Sequence, residues 1–278
     1  MSIPFSVLIS VYQKENPDHF RLALRSIWHD QLLKPDEIVL IEDGPLTKEL
    51  TTVIEAFSQE APLKIVAYQQ NRGLGVVLAE GIYHCSNEWI ARMDSDDIAT
   101  PERFLRQIDF VRKNPDIDIV GSSIAEFQDT PEAITSYRCP PSDTRTIGAF
   151  AKRRNPLNHM TVLFRKKAVT DAGNYQSFIG YEDYLLWIRM LINGAKMANI
   201  SEPLVWARIG NNMLARRHGI TFFKQEIKLQ KKLRRIGFLN RSEYCGNIFL
   251  RAIPRLLPGW GIKLVYKFLR KGKLVSKK

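Results

Sequence analysis

The amino-acid sequence predicts an α/β fold built around a doubly wound, mostly parallel β-sheet. Short apolar runs alternate with segments of helical periodicity through the first 120 residues, as in repeated strand–helix units. Tyr12, Asp43 and the acidic group 94–97 each follow such a run, at the strand ends where parallel sheets bind ligands. A length of 278 residues, of which 45% are hydrophobic, allows one large or two small domains.

The first half of the chain provides the alternation of strands and helices. Predicted strands span residues 5–11, 37–41, 63–67, 89–93 and 117–121. Predicted helices span residues 17–28, 48–57, 74–84 and 101–113. Asn16 and Pro17 begin the first of these helices, and Thr100 is expected to cap the last, with Pro101 at its first position.

The second half of the chain is less regular. Residues 128–158 are polar and are expected to form irregular structure. Predicted strands follow at 161–164, 196–200 and 204–207, and predicted helices at 166–172 and 181–191. Gly173 ends the first of these helices, and the acidic pair Glu182 and Asp183 lies in the first turn of the second.

The positive charge of the chain is concentrated in its C-terminal part. The net charge is +12, but residues 208–278 carry 19 Lys and Arg against 2 Asp and Glu. Residues 1–207 carry 22 against 27 and are slightly acidic. An anionic partner, either a membrane or a nucleic acid, is therefore indicated for the C-terminal part alone.

Two basic amphipathic helices are predicted in this part, over residues 248–257 and 262–271. In each, arginines and lysines lie opposite an apolar face, and Trp260 and Tyr266 are suited to a membrane interface. This pattern is typical of helices that lie on an anionic bilayer surface. The alternative is that both apolar faces pack on the rest of the protein.

The sequence lacks the features of secreted and membrane-spanning proteins. No apolar run approaches the roughly 20 residues that cross a bilayer, and the N-terminus does not have the pattern of a secretory signal. Cys85, Cys139 and Cys245 are scattered and form neither a metal-ligand spacing nor a disulfide framework. A reducing cytoplasm is the expected location.

The acidic group after the fourth predicted strand is the most informative stretch of the chain. Asp94, Asp96 and Asp97 crowd three carboxylates at a strand end, with Ser95 among them. Such crowding is unfavourable without a counter-charge, and carboxylate oxygens suit Mg²⁺ or Mn²⁺, which usually carries phosphates on its open side. The alternative is a polar turn whose aspartates cap the next helix. The other polar strand ends favour the functional interpretation.

Several short motifs together resemble those of family 2 glycosyltransferases with the GT-A fold. They are Ser-Val-Leu-Ile-Ser-Val-Tyr at 6–12, Asp43-Gly44, Asn71-Arg72-Gly73, Asp94-Ser95-Asp96-Asp97 and Glu182-Asp183. The Ser-Val-Tyr sequence and the segment 155–159, Asn-Pro-Leu-Asn-His, are further similar to bacterial enzymes that build O-antigen, capsule or exopolysaccharide repeat units.

The resemblance covers roughly residues 5–208 and implies a domain organisation. A GT-A catalytic domain is expected over 1–210, with a nucleotide-binding half at 1–125 and an acceptor half at 126–210. The basic segment 211–278 would follow as a membrane-associating part. One position departs from the family, because Ala79 stands where a further Asn is often found in the helix after Asn-x-Gly. This departure puts a side-chain contact from that helix in doubt.

The resemblance implies which residues bind a nucleotide sugar. Ser10 and Tyr12 would contact the nucleoside, and Asp43 would hydrogen-bond the uracil edge. Otherwise Tyr12 would be an aromatic residue at the sheet edge, and Asp43 a turn residue before glycine. The remaining residues expected in the donor site are Arg72, Asp94, Ser95, His159 and Arg208.

The resemblance also implies how the metal and the diphosphate are held. Asp96 would bind Mn²⁺ or Mg²⁺ directly, and Asp94 would contact ribose or metal, while Asp97 supports the loop or caps the helix. His159 would reach the diphosphate or the acceptor, unless it is a structural histidine. Arg208, followed along the chain by Arg216 and Arg217, would close over the diphosphate, unless these three arginines are solvated surface side chains.

Asp183 matches the general base of the family. An inverting transfer needs a carboxylate that takes the proton of the acceptor hydroxyl as this attacks the anomeric carbon. Glu182 would hold the acceptor or only serve the helix. The alternative for the pair is an acidic helix N-terminus favoured by the helix dipole.

The predicted function is an inverting, metal-dependent glycosyltransferase. It would transfer a hexose, galactose or glucose, from a UDP-sugar to a lipid-linked oligosaccharide at the inner face of the cell membrane. A sugar-phosphate nucleotidyltransferase usually has a glycine-rich basic loop after its first strand, and residues 13–16 contain no glycine. A phosphatase would place its nucleophile at that strand end, where Ser-Val-Tyr stands. A nucleic-acid-binding module would leave the carboxylates unexplained.

Overall fold

The computed structural model describes residues 3–210 and 219–252. By its internal contacts the chain divides into two compact units, residues 1–209 and 210–278. Of the two basic helices predicted at 248–257 and 262–271, residues 253–257 and the whole of 262–271 lie outside the described residues. Arg216 and Arg217 also lie outside them.

The first unit begins with strands and helices in strict alternation. The strands are β1 (Phe5–Val11), β2 (Glu37–Glu42), β3 (Leu63–Ala67) and β4 (Trp89–Met93). The helices between them are α1 (Pro17–Trp28), α2 (Lys48–Ser58) and α3 (Leu74–His84). All pairings among these strands are parallel, in the order β3-β2-β1-β4. The carboxyl ends of β1, β2 and β4 therefore meet at one edge of the sheet.

The rest of the unit continues the sheet with both strand directions. Its strands are β5 (Ile98–Ala99), β6 (Ile119–Phe127), β7 (Ile134–Arg138), β8 (Leu163–Arg165) and β9 (Met197–Arg208). Its helices are α4 (Arg103–Lys113), α5 (Thr144–Ala151), α6 (Lys166–Asp171) and α7 (Glu182–Ile192). The described residues thus form a nine-stranded sheet ordered β3-β2-β1-β4-β8-β6-β9-β5, with β7 beside β6.

Both faces of the sheet are covered by helices. Val7 and Ile9 on β1 point into an apolar layer shared with α1, α2 and α4, and Leu8 points into the opposite layer shared with α3 and α7. This alternation follows from the two-residue period of a strand. The longest ladders, including β6 with β9, are parallel, while β8 is antiparallel to both of its neighbours. The predicted doubly wound, mostly parallel α/β fold is confirmed.

The start of α4 differs from the prediction. The helix begins at Arg103, and Glu102 rather than Thr100 is its N-cap residue. The reason is a long-range pairing, because Ile98 and Ala99 form β5 against β9 and the Thr100 amide donates to the Leu204 carbonyl at 3.0 Å. Thr100 therefore continues a strand, and a turn precedes the helix.

The region 128–158, predicted to be irregular, contains β7 and α5. Asp143 caps α5 by accepting from the amides of Arg145 and Thr146, each at 3.0 Å. The two strands predicted at 196–200 and 204–207 are one strand, β9, whose register against β6 shifts twice near Ser123. The extra residues in the strand bulge out without ending the ladder.

The described part of the second unit is helical. Helix α8 (Ile220–Arg235) is followed by α9 (Arg241–Asn247) and a π-helical turn at Ile248–Ala252. Glu226 is fully buried and forms an ion pair with Arg251, whose Nε lies 3.0 Å from its Oε1.

Over residues 3–210 and 219–252, no helix combines the length and the apolar character of a transmembrane span.

Candidate active site

Polar side chains meet at the carboxyl ends of β1, β2 and β4. Ser10 is the half-buried penultimate residue of β1, and Tyr12, directly after that strand, is 40% exposed. Asp43 follows β2, where its amide donates to the Val11 carbonyl at 2.8 Å, and the acidic loop 94–97 follows β4. The three strand ends singled out by the sequence are therefore neighbours in the structure.

Asp43 holds the loop that follows β3. Its carboxylate accepts from the amides of Arg72 at 2.6 Å and Gly73 at 3.1 Å, and from the Asn71 side chain at 3.0 Å. Gly44 has a φ of +89°, and a Cβ there would lie 2.7 Å from the Asn71 amide nitrogen. The Asp-Gly and Asn-Arg-Gly motifs are therefore two halves of one loop contact. Recognition of a uracil by Asp43 stays a prediction.

Arg72 is an exposed residue of this loop. Its guanidinium stacks over the Tyr68 ring, 4.8 Å from the centroid, and pairs with Glu80 at 2.7 Å. The Tyr68 hydroxyl also donates to Glu80. Glu80 is the neighbour of Ala79, the position at which the sequence departs from the family. Arg72 is thus held by a ring and a carboxylate before any ligand binds.

The acidic loop after β4 combines buried and half-buried carboxylates. Asp94 forms an ion pair with Arg92, which is 2% exposed. Burial raises the pKa of Asp96 to about 7, together with repulsion from Asp94 and Glu15. Burial and repulsion by its two neighbours also raise the pKa of Asp97, which accepts from the Arg208 amide at 2.8 Å. Asp97 therefore supports the loop, as one of its two predicted roles requires.

Glu15 belongs to this cluster although the sequence did not single it out. It lies in the turn after β1, where its amide donates to the Tyr12 carbonyl at 3.0 Å, and it accepts from the Ser95 hydroxyl. Glu15 directly precedes Asn16, which caps α1, so in the sequence it looked like a residue at the start of a helix and not like part of an acidic site. Only the pairing of β1 with β4 brings it to the acidic loop.

Arg208, at the end of β9, spans the acidic loop from the other side. Its Nε donates to the Asp96 carbonyl at 3.2 Å, its Nη1 donates to the Asp129 carbonyl at 3.2 Å, and its guanidinium lies 4.6 Å from the Phe127 ring centroid. The side chain is therefore anchored rather than freely solvated. Closure of this region over a diphosphate stays a prediction.

Two buried arginines balance the carboxylates from beneath. Arg92 and Arg103 are both nearly inaccessible, and Arg103 Nη2 donates to the Arg92 carbonyl at 2.6 Å. Burial, with the neighbouring charge of Arg92, lowers the pKa of Arg103 to about 9. For Arg92, the available sequence signal was an arginine within the otherwise apolar run 89–93, because a buried strand accepts a charge only beside a counter-charge.

The donor set of the acidic loop fits a hard divalent cation. Within residues 3–210 and 219–252 no three Asp, Glu, His or Cys side chains converge into a complete cage. Mg²⁺ in phosphate-transferring sites, however, is typically held by only one or two carboxylates, with water and phosphate oxygens completing its shell. A cation between Asp94 and Asp96 would relieve the repulsion that raises the pKa of Asp96.

Asp183 lies in the first turn of α7 and is half-buried. Its Oδ2 accepts from the Asn155 side chain at 2.5 Å, and its Oδ1 from the Tyr184 amide at 2.7 Å. Burial raises the pKa of Asp183, while these hydrogen bonds and the charges of Arg138 and Arg92 partly oppose that rise. The Asp183 carboxylate is therefore held in a fixed orientation, which is one of the requirements for a general base.

Glu182 lies close to the first turn of α3, which follows the loop bound by Asp43. A Cβ on Gly75 in α3 would lie 2.9 Å from the Glu182 Cγ. The close approach of α3 to the start of α7 therefore depends on a glycine at position 75. Burial raises the pKa of Glu182, with repulsion from Asp183 acting in the same direction.

His159 is placed inside the fold. Its Nε2 lies 2.9 Å from the Tyr175 hydroxyl, and its ring centroid lies 6.1 Å from that of Trp187. Burial and the charge of Arg92 hold its pKa well below the ordinary value, so the imidazole is neutral. These contacts favour the structural role over a diphosphate contact, which no observation supports directly.

Comparison with known proteins gives a consistent result. The family model "Glycosyl transferase family 2" matches residues 6–181. An uncharacterized glycosyltransferase of Haemophilus influenzae is 42% identical over 96% of the chain and 99% of its own length. The amylovoran biosynthesis glycosyltransferase AmsE of Erwinia amylovora is 37% identical over 96% and 100%. An Escherichia coli UDP-Gal:alpha-D-GlcNAc-diphosphoundecaprenol beta-1,3-galactosyltransferase is 35% identical over 95% of both chains.

Solved structures share the fold at low sequence identity. Residues 1–349 of S. aureus TarS in complex with UDP-GlcNAc align with a TM-score of 0.68 and 16% identity, over 98% of the chain and 77% of that structure. The mannosyltransferase PcManGT from Pyrobaculum calidifontis, in complex with GDP-Man and Mn²⁺, aligns with a TM-score of 0.65 and 12% identity, over 99% and 77%.

Proposed function

The chain belongs to glycosyl transferase family 2, and from this premise we propose that it is an inverting, metal-dependent hexosyltransferase of cell-surface polysaccharide synthesis. The observation that carries the proposal is the position of Asp183. This half-buried carboxylate begins a helix whose Glu182 packs against Gly75, next to the loop bound by Asp43. A candidate base thus adjoins the candidate donor site. Family membership favours a transferase over a nucleotidyltransferase, a phosphatase or a nucleic-acid-binding module.

The donor in this proposal is a UDP-hexose, with galactose as the first choice. Two proteins with this fold support it, since one relative is named as using UDP-Gal and the TarS structure contains UDP-GlcNAc. Tyr12 is exposed enough to stack on a base, and Asp43 fixes the loop beside it. Arg72, already oriented by Tyr68 and Glu80, supplies a positive charge near the donor site.

Asp94 and Asp96 are the residues that would hold Mn²⁺ or Mg²⁺. When bound, the cation neutralises charge that develops on the departing nucleoside diphosphate. The PcManGT structure with Mn²⁺ supports a metal in this fold. Arg92 keeps one carboxylate in place through its ion pair, and Arg208 fixes the loop by bonding to the Asp96 carbonyl.

In the transfer itself, Asp183 takes the proton of the acceptor hydroxyl. The hydroxyl oxygen bonds to the anomeric carbon as the bond from that carbon to the diphosphate oxygen breaks, so the configuration inverts. No enzyme nucleophile takes part, and a single carboxylate suffices. The raised pKa of Asp183 makes its carboxylate a stronger base than a solvated aspartate.

The acceptor in this proposal is a saccharide on a lipid diphosphate at the inner face of the membrane. Its support is the 35% identical E. coli relative, whose name specifies such an acceptor, together with the basic residues 208–278. These residues would bind an anionic surface and bring the catalytic domain, residues 1–210, to its substrate. The 211–278 segment would then serve as a peripheral membrane anchor.

A screen of donors tests the proposal. The protein is incubated with Mn²⁺, an N-acetylglucosaminyl-diphospholipid and, in separate reactions, UDP-galactose, UDP-glucose, UDP-GlcNAc and GDP-mannose. UDP-galactose or UDP-glucose is expected to give a disaccharide lipid whose new linkage, by NMR, has the opposite anomeric configuration to the donor. A product of retained configuration excludes the inverting mechanism, and exclusive use of GDP-mannose excludes the uracil assignment.

A further inference from the structure

The Asn155 side chain is oriented by two contacts. Its Nδ2 donates to Oδ2 of Asp183 at 2.5 Å, and its Oδ1 accepts from the Leu157 amide at 3.3 Å. Because the Leu157 amide can only donate, it requires the amide oxygen of Asn155 on its side. The NH₂ group is therefore directed at the carboxylate.

The second oxygen of Asp183 is held from its own helix. Oδ1 accepts from the Tyr184 amide at 2.7 Å, and the buried Tyr184 hydroxyl donates to the Ala151 carbonyl at 2.6 Å. This second contact ties α7 to the end of α5. Both carboxylate oxygens thus have a fixed donor, while Asp183 as a residue is only half-buried.

We propose that Asn155 is a positioning residue for the general base, holding the Asp183 carboxylate by its amide N–H in the orientation from which it accepts the proton. The inference rests on the proposed role of Asp183. The asparagine side chain supplies a neutral donor, so it orients the base without the strong loss of basicity that a cationic partner causes.

The pH dependence of turnover separates this role from a purely structural one. A donor to the ionised carboxylate favours that form, so removing the donor raises the pKa of Asp183. Asn155→Ala removes the donor, and Asn155→Asp replaces it with a carboxylate of the same shape. Like-charge repulsion in the second variant adds to the loss of the donor. The pKa of Asp183 should therefore rise more in Asn155→Asp than in Asn155→Ala. A loss of packing alone gives no reason for this difference between the two variants.

The experiment measures kcat and KM between pH 5 and 9 with UDP-galactose, Mn²⁺ and an N-acetylglucosaminyl-diphospholipid. We expect kcat at pH 7 to fall about 10- to 100-fold in Asn155→Ala, the scale of effect that misplacing a reacting group has. The KM for UDP-galactose should be unchanged. The acidic limb of the kcat profile should move to higher pH, and further in Asn155→Asp than in Asn155→Ala.

Asn193→Ala is the matched control, and Asp183→Asn separates the inference from its premise. Asn193 ends the same helix, donates to the Asp171 carbonyl at 3.0 Å, and should leave the profile unchanged when replaced. If Asp183→Asn is inactive but both Asn155 variants keep the wild-type acidic limb, Asn155 is only structural and the base assignment stands. If Asp183→Asn retains turnover, the base assignment and this inference both fail. Asn155→Asp preserves the shape of the side chain, so its kcat profile tests the inference even if Asn155→Ala misfolds.

Discussion

At the scale of single residues, the acidic loop balances charges that would repel one another without their partners. Asp94 pairs with the Arg92 guanidinium and Asp97 accepts from the Arg208 amide, whereas the largest effects on the pKa of Asp96 are burial and repulsion from Asp94 and Glu15. Its pKa of about 7 means that near neutral pH a proton would compete with the proposed cation for the same carboxylate. Asp96 is therefore the position at which loss of charge should be most informative.

Asp96→Asn should abolish metal-dependent UDP binding while the protein stays folded. In the wild type, Mn²⁺-dependent UDP affinity should fall by up to about tenfold per pH unit below 7, because the protonated carboxyl does not bind metal.

The same substitution should change stability. Since the pKa of Asp96 is higher in the folded than in the unfolded state, ionised Asp96 destabilises the fold at high pH. The variant should therefore melt at a higher temperature than wild type at pH 8 without metal. Calorimetry of UDP with Mn²⁺ and thermal unfolding test these statements.

A control variant removes a carboxylate elsewhere. Asp116 is exposed and pairs with Lys196 at 2.9 Å, so Asp116→Asn should leave UDP binding and its pH dependence unchanged. If Asp96→Asn binds UDP with Mn²⁺ as tightly as wild type, Asp96 is not a metal ligand.

Asp183→Asn should keep UDP binding and lose most transfer. General-base catalysis contributes about 10²- to 10⁴-fold, and an amide cannot take the acceptor proton. In the wild type, kcat should decline as pH falls through the pKa of Asp183, which burial places above the usual range of an aspartate. Steady-state kinetics with a UDP titration tests both. Turnover within a few-fold of wild type in the variant would remove Asp183 from this role.

The sequence identified acidic residues of the candidate site but not the contacts that hold them. Asp43, Asp96 and Asp183 stand in recognisable local motifs. The contacts of Glu15 with Ser95 and of Asn155 with Asp183 join residues 80 and 28 positions apart, so the motif that contains Asn155 did not indicate its partner. Their roles follow only from strand pairing and helix placement.

At the scale of elements, the structure shows why some boundaries were predictable and others were not. The bounds of α3 match the prediction because Gly73, with a φ of +84°, begins a helix of regular apolar period. Strand β5 is two residues long and exists only because β9, a hundred residues later, pairs with it. Neither its length nor its composition distinguishes it from a turn, so Thr100 was assigned to the wrong element.

Gly75→Ala tests the contact between α3 and the start of α7. The added Cβ would lie 2.9 Å from the Glu182 Cγ and 3.3 Å from the Gln176 carbonyl oxygen, so Glu182 must move. Overpacking of this kind typically costs about 1–3 kcal/mol. We expect a lower melting temperature, a raised KM for the acceptor and unchanged UDP affinity. Kinetics with varied acceptor and calorimetry with UDP measure these effects.

Gly148→Ala is the matched control for that variant. Gly148 lies within α5, where a Cβ would meet nothing within 4 Å. Because alanine favours the helix over glycine by about 0.5–1 kcal/mol, this variant should be slightly stabilised with unchanged kinetics. An unchanged acceptor KM in Gly75→Ala would show that the position of Glu182 does not matter for the acceptor.

At the scale of the whole molecule, the two units differ in charge and are expected to differ in task. The slightly acidic residues 1–207 contain every residue of the candidate site except Arg208, whereas the whole of the basic excess lies in residues 208–278. The structure also decides where a truncation must be made. Arg251 pairs with the fully buried Glu226, and Asn247 donates to Gln230 at 2.9 Å, so a cut before residue 252 would remove a charged partner of a buried carboxylate. Such a loss typically costs about 3–5 kcal/mol.

Deletion of residues 253–278 should release the protein from anionic vesicles while leaving UDP binding intact. The deleted segment contains eight Lys and Arg and no Asp or Glu. Each basic residue near an anionic surface contributes about 1 kcal/mol, and the apolar faces predicted for this segment would add to that. Flotation with vesicles of phosphatidylglycerol and phosphatidylethanolamine, at low and high salt, measures the association, because surface charge is screened by salt.

A full-length variant with those eight residues changed to glutamine separates charge from apolar burial. If charge dominates, this variant should detach at low salt as the truncated protein does; if the apolar faces dominate, it should float as wild type.

The turnover of the truncated protein gives a second test. Its turnover on a soluble saccharide acceptor, as a fraction of the wild-type value, should be higher than its turnover on the diphospholipid, as a fraction of the wild-type value. Continued flotation of the truncated protein would place the membrane contact in residues 1–252. If the truncated protein instead loses both its UDP binding and its cooperative unfolding transition, the apolar faces predicted in residues 253–278 pack on the rest of the chain. This is the alternative that the sequence left open.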